Sequence, residues 1–369
     1  MDPKILSLAC AVATNVPAVL WGPPGIGKSK TVEALGEALG LPVRVVIASI
    51  HDPTDFSGIP VPDLERGRAR YLAPEWAVDL VEAGQGILFL DEISTAPPAV
   101  QAALLQVVLE RRVGALRLPP GVRVIAAANP PQLAAGGWEM SPPLANRFSH
   151  IQWETHQGDL VKGLTLGWTL DLPKIGDWAK KLPEAKAIVA AYLQGRPDRE
   201  VVEPKAGELA FPTYRSWDMA AKMLAAALTV TEDVGLLASV LGTCVGHGDA
   251  VAVASVLDQG RLPTPLELVS GQQPLPERAD RLFASLGALA AWVIDQAGSP
   301  DFERIWARAW DLLGQAAEKV APDVAAIAAA QLADFHIRSL LAGQRVPDPP
   351  SGALKPFQPL IAALKGGKK

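Results

Sequence analysis

The chain has 369 residues, 49% hydrophobic and 20% charged, with a formal net charge of -5 and a pI near 5.6. It is too long for one ordinary domain and too apolar for wholesale disorder. The acidic balance argues against a nucleic-acid partner bound through overall charge, although it leaves room for a local basic groove.

Cys10 and Cys244 cannot build a disulfide framework, which fits a reducing compartment such as the cytoplasm. Lys4 and the apolar run Ile5 to Val12 have the faint outline of a secretory leader. Asp2 and Pro3 spoil its positive flank, and the run reads better as a short helix. No stretch of about 18 consecutive apolar residues occurs, so no transmembrane helix is expected.

Pro17 to Trp21 reads as a short apolar strand ending at Gly22. Lys28 to Leu39 sets Val32, Leu35 and Leu39 on one helical face, with Gly40 as C-cap. Val43 to Ala48 is β-branched and reads as a strand, and Gly86 to Leu90 is apolar on both faces, as a buried parallel strand requires. Pro97 to Leu109 is predicted helical. Val122 to Ala128 and Phe148 to Trp153 are further strands. Five strands separated by helices predict an α/β, three-layer domain with a parallel sheet over residues 1–155.

From Gly158 onward strand signals fade and Ala-rich helical segments dominate. We expect a helical lid over 156–262, an additional helical region over 263–345, and a flexible Pro-rich tail over 346–369 closing with Lys365 to Lys369. A break is expected near Leu262 to Pro276. Val324, Ile327, Leu332 and Phe335 fall close to one helical face, and no internal repeat is apparent.

The chemistry is concentrated in the first region. Gly22-Pro23-Pro24-Gly25-Ile26-Gly27-Lys28-Ser29 matches GxxxxGK(S/T) between a strand and a helix. Its glycines let backbone N–H groups wrap around phosphates, and the following helix adds its N-terminal partial charge. Lys28 would contact the β- and γ-phosphates, Ser29 would ligate Mg²⁺, and Lys30 is counted with the loop as nucleotide-binding. Asp91 and Glu92 leave the end of a buried strand, where ligands bind in open α/β sheets. Asp91 would hold Mg²⁺, and Glu92 would be the base that polarises the attacking water. Asn129 ends the next buried strand, where its side chain can reach the γ-phosphate.

In this order the elements resemble an AAA+ ATPase, with Walker A at Gly22 to Ser29, Walker B at Asp91-Glu92 and sensor 1 at Asn129. Within that superfamily Leu90-Asp91-Glu92-Ile93, Gln101 to Glu110 with Arg111, and Ala127-Ala128-Asn129-Pro130 resemble the MoxR-like ATPases. The resemblance covers about Val16 to Met223. It implies an insertion at Ile50 to Tyr71, an arginine finger at Arg147, and a sensor 2 arginine at Arg215 in Phe211 to Trp217. Arg215 could act on its own nucleotide or on a neighbour's. The resemblance also implies ATP and Mg²⁺, a homo-hexamer, a protein partner that it remodels, and often a partner with a von Willebrand factor A domain.

Other features have plainer readings. Cys244 and His247 have CxxH spacing but lack a second ligand pair, so no zinc site is expected. Trp168, Trp178, Trp306 and Trp310 read as core and interface anchors rather than as stacking platforms. Arg111, Arg112, Arg117 and Arg123 form a basic stretch that by default is solvated, but that could face a ring's pore. It keeps a DNA-linked AAA+ motor open as an alternative, beside a metal-chelatase motor subunit and a scaffold that only binds ATP.

Overall fold

The computed structural model describes residues 1–130, 133, 138–156, 158–258, 262–319, 322–353 and 355–357. It divides into two compact units. One joins Met1–Trp178 to Asp198–Val251, and the other joins Ala179–Pro197 to the chain from Ala252 onward.

The strands are β1 (Ala18–Trp21), β2 (Val43–Ile47), β3 (Ile59–Asp63), β4 (Arg68–Leu72), β5 (Gln85–Asp91), β6 (Arg112–Val113), β7 (Leu116–Arg117), β8 (Gly121–Ala128) and β9 (Ser149–Gln152). All lie in the first unit. The main sheet runs β2-β5-β8-β1-β9, and every neighbouring pair is parallel. β3–β4 and β6–β7 are separate antiparallel hairpins. The first falls in the expected insertion, with its turn between Asp63 and Arg68.

The helices follow in chain order: α1 (Pro3–Thr14), α2 (Lys28–Leu39), α3 (Thr54–Ser57), α4 (Glu75–Ala83), α5 (Pro98–Leu105), α6 (Pro142–Ala145), α7 (Asp159–Leu166), α8 (Leu182–Gly195), α9 (Tyr214–Ala227), α10 (Val234–Val245), α11 (His247–Asp258), α12 (Pro265–Ser270), α13 (Ala279–Asp295), α14 (Phe302–Lys319) and α15 (Pro322–Leu341).

β1, β5 and β8 are apolar on both faces because helices cover both faces of the sheet. Val19, Leu88, Leu90, Val124 and Ala126 are buried in one cluster with Val100 and Leu104 of α5. Asp2 caps α1 by accepting the Lys4 N–H at 3.0 Å, and the helix buries Leu6, Leu8 and Cys10. α2 starts at Lys28 and closes on Gly40 at φ 64. Val32 and Leu35 are buried, but Leu39, expected on the same face, is exposed. α5 stops at Leu105 and continues as a π-turn over Gln106–Glu110, which ends on Arg111 at φ 56.

The compact units cut the chain differently from the composition. α9 and α10 pack on α1, and α10 also meets β9, so most of the expected lid belongs with the sheet. α8 packs on α13 in the other unit. There the core gathers Leu282, Leu286, Leu289, Trp306, Trp310, Val324 and Leu332, while Ile327 is exposed. α15 has the length and mean hydropathy, 1.3, of a membrane span, yet buries Val324, Ala325, Ala328 and Leu332 in this core.

The expected break near Leu262 contains α12, started by Thr264 and Glu267 in a reciprocal capping box with Pro265 at N1. The expected tail begins as part of the core: Val346 and Ala353 pack against it and Phe357 is buried. Residues 358–369, with Lys365 and Lys369, lie outside the described residues.

Candidate active site

β8 lies between β1 and β5, and the registers Trp21↔Ala128 and Leu90↔Ala126 bring their C-terminal ends to one edge. Gly22, Asp91, Glu92 and Asn129 all emerge there. Sequence order alone would not place Asn129 between the other two, because a strand contributed later in the chain separates β1 from β5.

Lys28 lies at the centre and is 8% exposed. Its ammonium donates to Gly22 O at 2.7 Å, Pro23 O at 2.9 Å and Asn129 Oδ1 at 3.0 Å. Burial pulls its pKa below the ordinary lysine value, and the Asp91 charge works in the opposite direction. Gly25 and Gly27 hold φ 79 and φ 92, a region that residues with a Cβ enter only at a cost. Gly22 is confined for a different reason: a Cβ there would stand 2.4 Å from Trp153 O.

Ser29 Oγ donates to Asp91 Oδ2 at 2.9 Å. A hydroxyl beside a carboxylate is a hard, all-oxygen donor set, which suits Mg²⁺. Asp91 Oδ1 accepts the Glu92 N–H at 2.9 Å, and Thr95 Oγ1 donates to Glu92 O at 2.9 Å. These bonds hold Glu92 in the left-handed region at φ 56, which costs about 1–2 kcal/mol for a side chain of this kind. Its carboxylate accepts from Ser49 Oγ at 2.5 Å. Asn129 is fixed through its own N–H, which donates to Ser94 Oγ at 3.1 Å.

Lys28, Ser29, Asp91, Glu92 and Asn129 are therefore brought together, with Gly22 to Gly27 as the loop. The side chain of Lys30 is turned to Glu33, 2.5 Å away, and does not join them. Arg147 and Arg215 make no contact with this group. They meet around Asn146, whose Oδ1 accepts from Arg215 Nη1 at 3.3 Å.

Sequence reasoning missed Ser49 and Ser94, which orient Glu92 and Asn129. Their signal was position, each lying at the C-terminal end of, or just past, a neighbouring strand. Trp168, expected as a core or interface anchor, is not in the core. That side chain is 45% exposed and, with Ile26, Thr31 and Trp153, lines a cavity of about 510 Å³ beside the loop. Its walls are mixed: Ile26, Trp153 and Trp168 are apolar, while Lys4, Glu154 and Asp159 are charged.

The basic stretch resolves into two kinds of arginine. Arg111 Nη1 donates to Val122 O at 2.8 Å and Arg123 Nε to Val12 O at 2.6 Å, so these two brace the backbone. Arg112 and Arg117 are exposed on the β6–β7 hairpin. Cys244 is buried, its thiol pushed up to about 12 by desolvation, while His247 is exposed. Among the described residues no His, Cys, Asp and Glu group forms a metal cluster.

Residues 17–148 match the model of the AAA domain, dynein-related subfamily. An uncharacterized protein from Staphylococcus haemolyticus (strain JCSC1435) is 31% identical over 157 residues, covering 40% of this chain and 59% of that one. An uncharacterized protein from Staphylococcus aureus (strain USA300) is 29% identical over 159 residues, covering 41% and 60%. The chain thus spans about 59% of the length of the curated relatives it matches. A solved structure from Cytophaga hutchinsonii ATCC 33406, described as a candidate ATPase, is 16% identical with a TM-score of 0.42, covering 69% of this chain and 87% of that one. The sheet, the loop and the family match agree on an AAA-type P-loop fold for residues 17–148.

Proposed function

We propose that this chain is a ring-forming AAA+ ATPase of the MoxR-like kind, which hydrolyses Mg-ATP in the cytoplasm to remodel or activate a protein partner. One observation carries the hydrolytic part of this reading. Lys28, Ser29, Asp91, Glu92 and Asn129 converge at one sheet edge through bonds of 2.9 to 3.0 Å.

In this reading the loop amides and Lys28 bind the phosphates. The Lys28 ammonium would exchange its bonds to the Gly22 and Pro23 carbonyls for phosphate oxygens. Ser29 and Asp91 would hold Mg²⁺, which would supply charge neutralisation to the bound phosphates. Glu92 takes the proton of the attacking water, and Asn129 positions that water against the γ-phosphate. The nucleobase would enter the cavity that Ile26, Thr31, Trp153 and Trp168 help to line beside the loop.

The partner-directed part follows from the MoxR-like resemblance, and the two hairpins present exposed Arg68, Arg70, Arg112 and Arg117 as candidate contacts. A homo-hexamer and a partner with a von Willebrand factor A domain follow from the MoxR-like resemblance. The test is ATP turnover by the purified full chain, with and without Mg²⁺, with particle mass followed by light scattering as ATP is added. Mg²⁺-dependent turnover and ATP-dependent assembly are expected. Absence of turnover with and without partner-containing extract would overturn the reading.

A further inference from the structure

The second compact unit holds a cleft of its own. It has a volume of about 370 Å³ and lies between α8, α13 and α15, all within that unit. α13 turns Phe283, Gly287 and Ala291 to it at intervals of four residues, which is one face of a helix. Gly287 brings α8 close, since a Cβ there would stand 3.4 Å from the Ala187 Cβ. Beside that crossing Ala190, Ala291 and Ala328 are too short to fill the space. Val324 and Ile327 of α15 add apolar wall, and Ile327 stays 44% exposed.

The polar groups of the cleft are few and of one kind. Of its lining side chains only Lys186 is charged, and only Gln331 is otherwise polar. Among the described residues neither has a hydrogen-bonded or ionic partner. Glu184, the one carboxylate on α8, is taken up by Lys181 at 2.8 Å. Apolar walls left to water are unfavourable, and an ammonium with no acid near it attracts an anion. A ligand with a hydrocarbon body and one anionic end satisfies both. Size narrows it further. A cavity of about 150 Å³ holds benzene, and this one has more than twice that volume, which suits a chain of roughly eight to ten carbons. A stable protein interface buries about 800 Å² on each side, far more than a cleft of this size provides.

We propose that this cleft binds an aliphatic monocarboxylate of medium length, with its hydrocarbon chain between α8, α13 and α15 and its carboxylate at Lys186 and Gln331. The site shares no residue with the ATPase reading and stands whether or not that reading holds.

The test is calorimetric titration of the full-length protein with hexanoate, octanoate and decanoate, each below its micelle-forming concentration. Affinity should rise about fourfold for each methylene added. Decanol and decylamine should bind more weakly than decanoate. Lys186→Met keeps the apolar stem and loses the charge, so decanoate should bind about fivefold more weakly while decanol is unaffected. Ala190→Leu and Ala291→Leu, both at half-buried positions, fill the cleft and should abolish binding of all three acids. Should the leucine proteins fail to fold, the chain-length series and Lys186→Met still decide. Absence of saturable binding to the wild-type chain would overturn the proposal. Affinity independent of chain length, equal affinity for decanol, or unchanged binding in the filled variants would do the same. So would an acidic amphipathic peptide that binds where decanoate does not and is lost in the filled variants, since the cleft would then be a protein-docking groove.

Discussion

The Lys28 ammonium donates to Asn129 Oδ1 at 3.0 Å, although 101 residues separate the two in the chain. This bond ties the loop after β1 to the end of β8. It also shows the Lys28 ammonium held by oxygens that a phosphate can replace. Lys28→Ala should therefore lower ATP affinity by roughly 10- to 100-fold, the scale of lost charge-assisted hydrogen bonds, with an unchanged far-ultraviolet circular dichroism spectrum. Equal affinity in a folded variant would remove Lys28 from the nucleotide site.

Gly22 tests the backbone of the loop rather than its charge. An added Cβ would meet Trp153 O at 2.4 Å and Ile26 Cδ1 at 2.5 Å. Ile26 can rotate, but a carbonyl cannot move without β9 and its continuation. Gly22→Ala should cost about 1–3 kcal/mol of stability and weaken ATP binding. Urea unfolding and nucleotide titration on the same sample check both. An unchanged unfolding midpoint would show that the loop relaxes freely.

His150 provides a pH dependence. Trp21 Nε1 donates to His150 Nδ1 at 2.9 Å, and His150 Nε2 donates to Ala145 O at 2.9 Å, so the ring is neutral with its proton on Nε2. Burial lowers its pKa to about 4. The folded value lies below the unfolded value of about 6.5. The contribution of the neutral ring is therefore complete above pH 6.5 and is lost as pH falls from 6.5 towards 4, by up to roughly 3 kcal/mol. Urea unfolding at pH 7, 5.5 and 4.5 should show this loss. His150→Gln, which does not titrate, should flatten that part of the slope. Parallel slopes for the two proteins would contradict the assignment.

The hairpin of β3 and β4 stands apart from the catalytic bonds, and Leu64 at its turn is 91% exposed. Shortening Asp63 to Gly67 should leave basal ATP turnover within about twofold, since a surface turn contributes little to the core. Stimulation by a partner or remodelling of it should fall. Loss of ATP binding instead would place the segment in the nucleotide site.

The loop was legible in the sequence because its chemistry is local. Gly25 and Gly27 need positive φ, Lys28 and Ser29 open the helix, and all lie within eight residues. Asp91, Glu92 and Asn129 were legible for a related reason, since each ends a run apolar on both faces. What pairs across the sheet was hidden. Position puts Ser49 just past a neighbouring strand but does not announce that its hydroxyl will meet Glu92, 43 residues on. Arg111 and Arg123 looked solvated because composition cannot show that Val122 O and Val12 O need donors. The grouping of α9 and α10 with the sheet was not legible, because they are as helical in pattern as α13. Only their burial against α1 assigns them to the first unit. Phe357 was lost in a Pro-rich stretch although it reaches the core of the second unit.

The central claim is that this sheet edge hydrolyses ATP with Glu92 as the base, and Glu92→Gln tests it most directly. The amide keeps the shape of the side chain and can still meet Ser49, but it cannot take the proton of the attacking water. The account predicts ATP affinity within a few-fold of wild type and turnover lower by about 10²–10⁴-fold, measured by single-turnover phosphate release at saturating Mg-ATP. Wild-type turnover in this variant would contradict it.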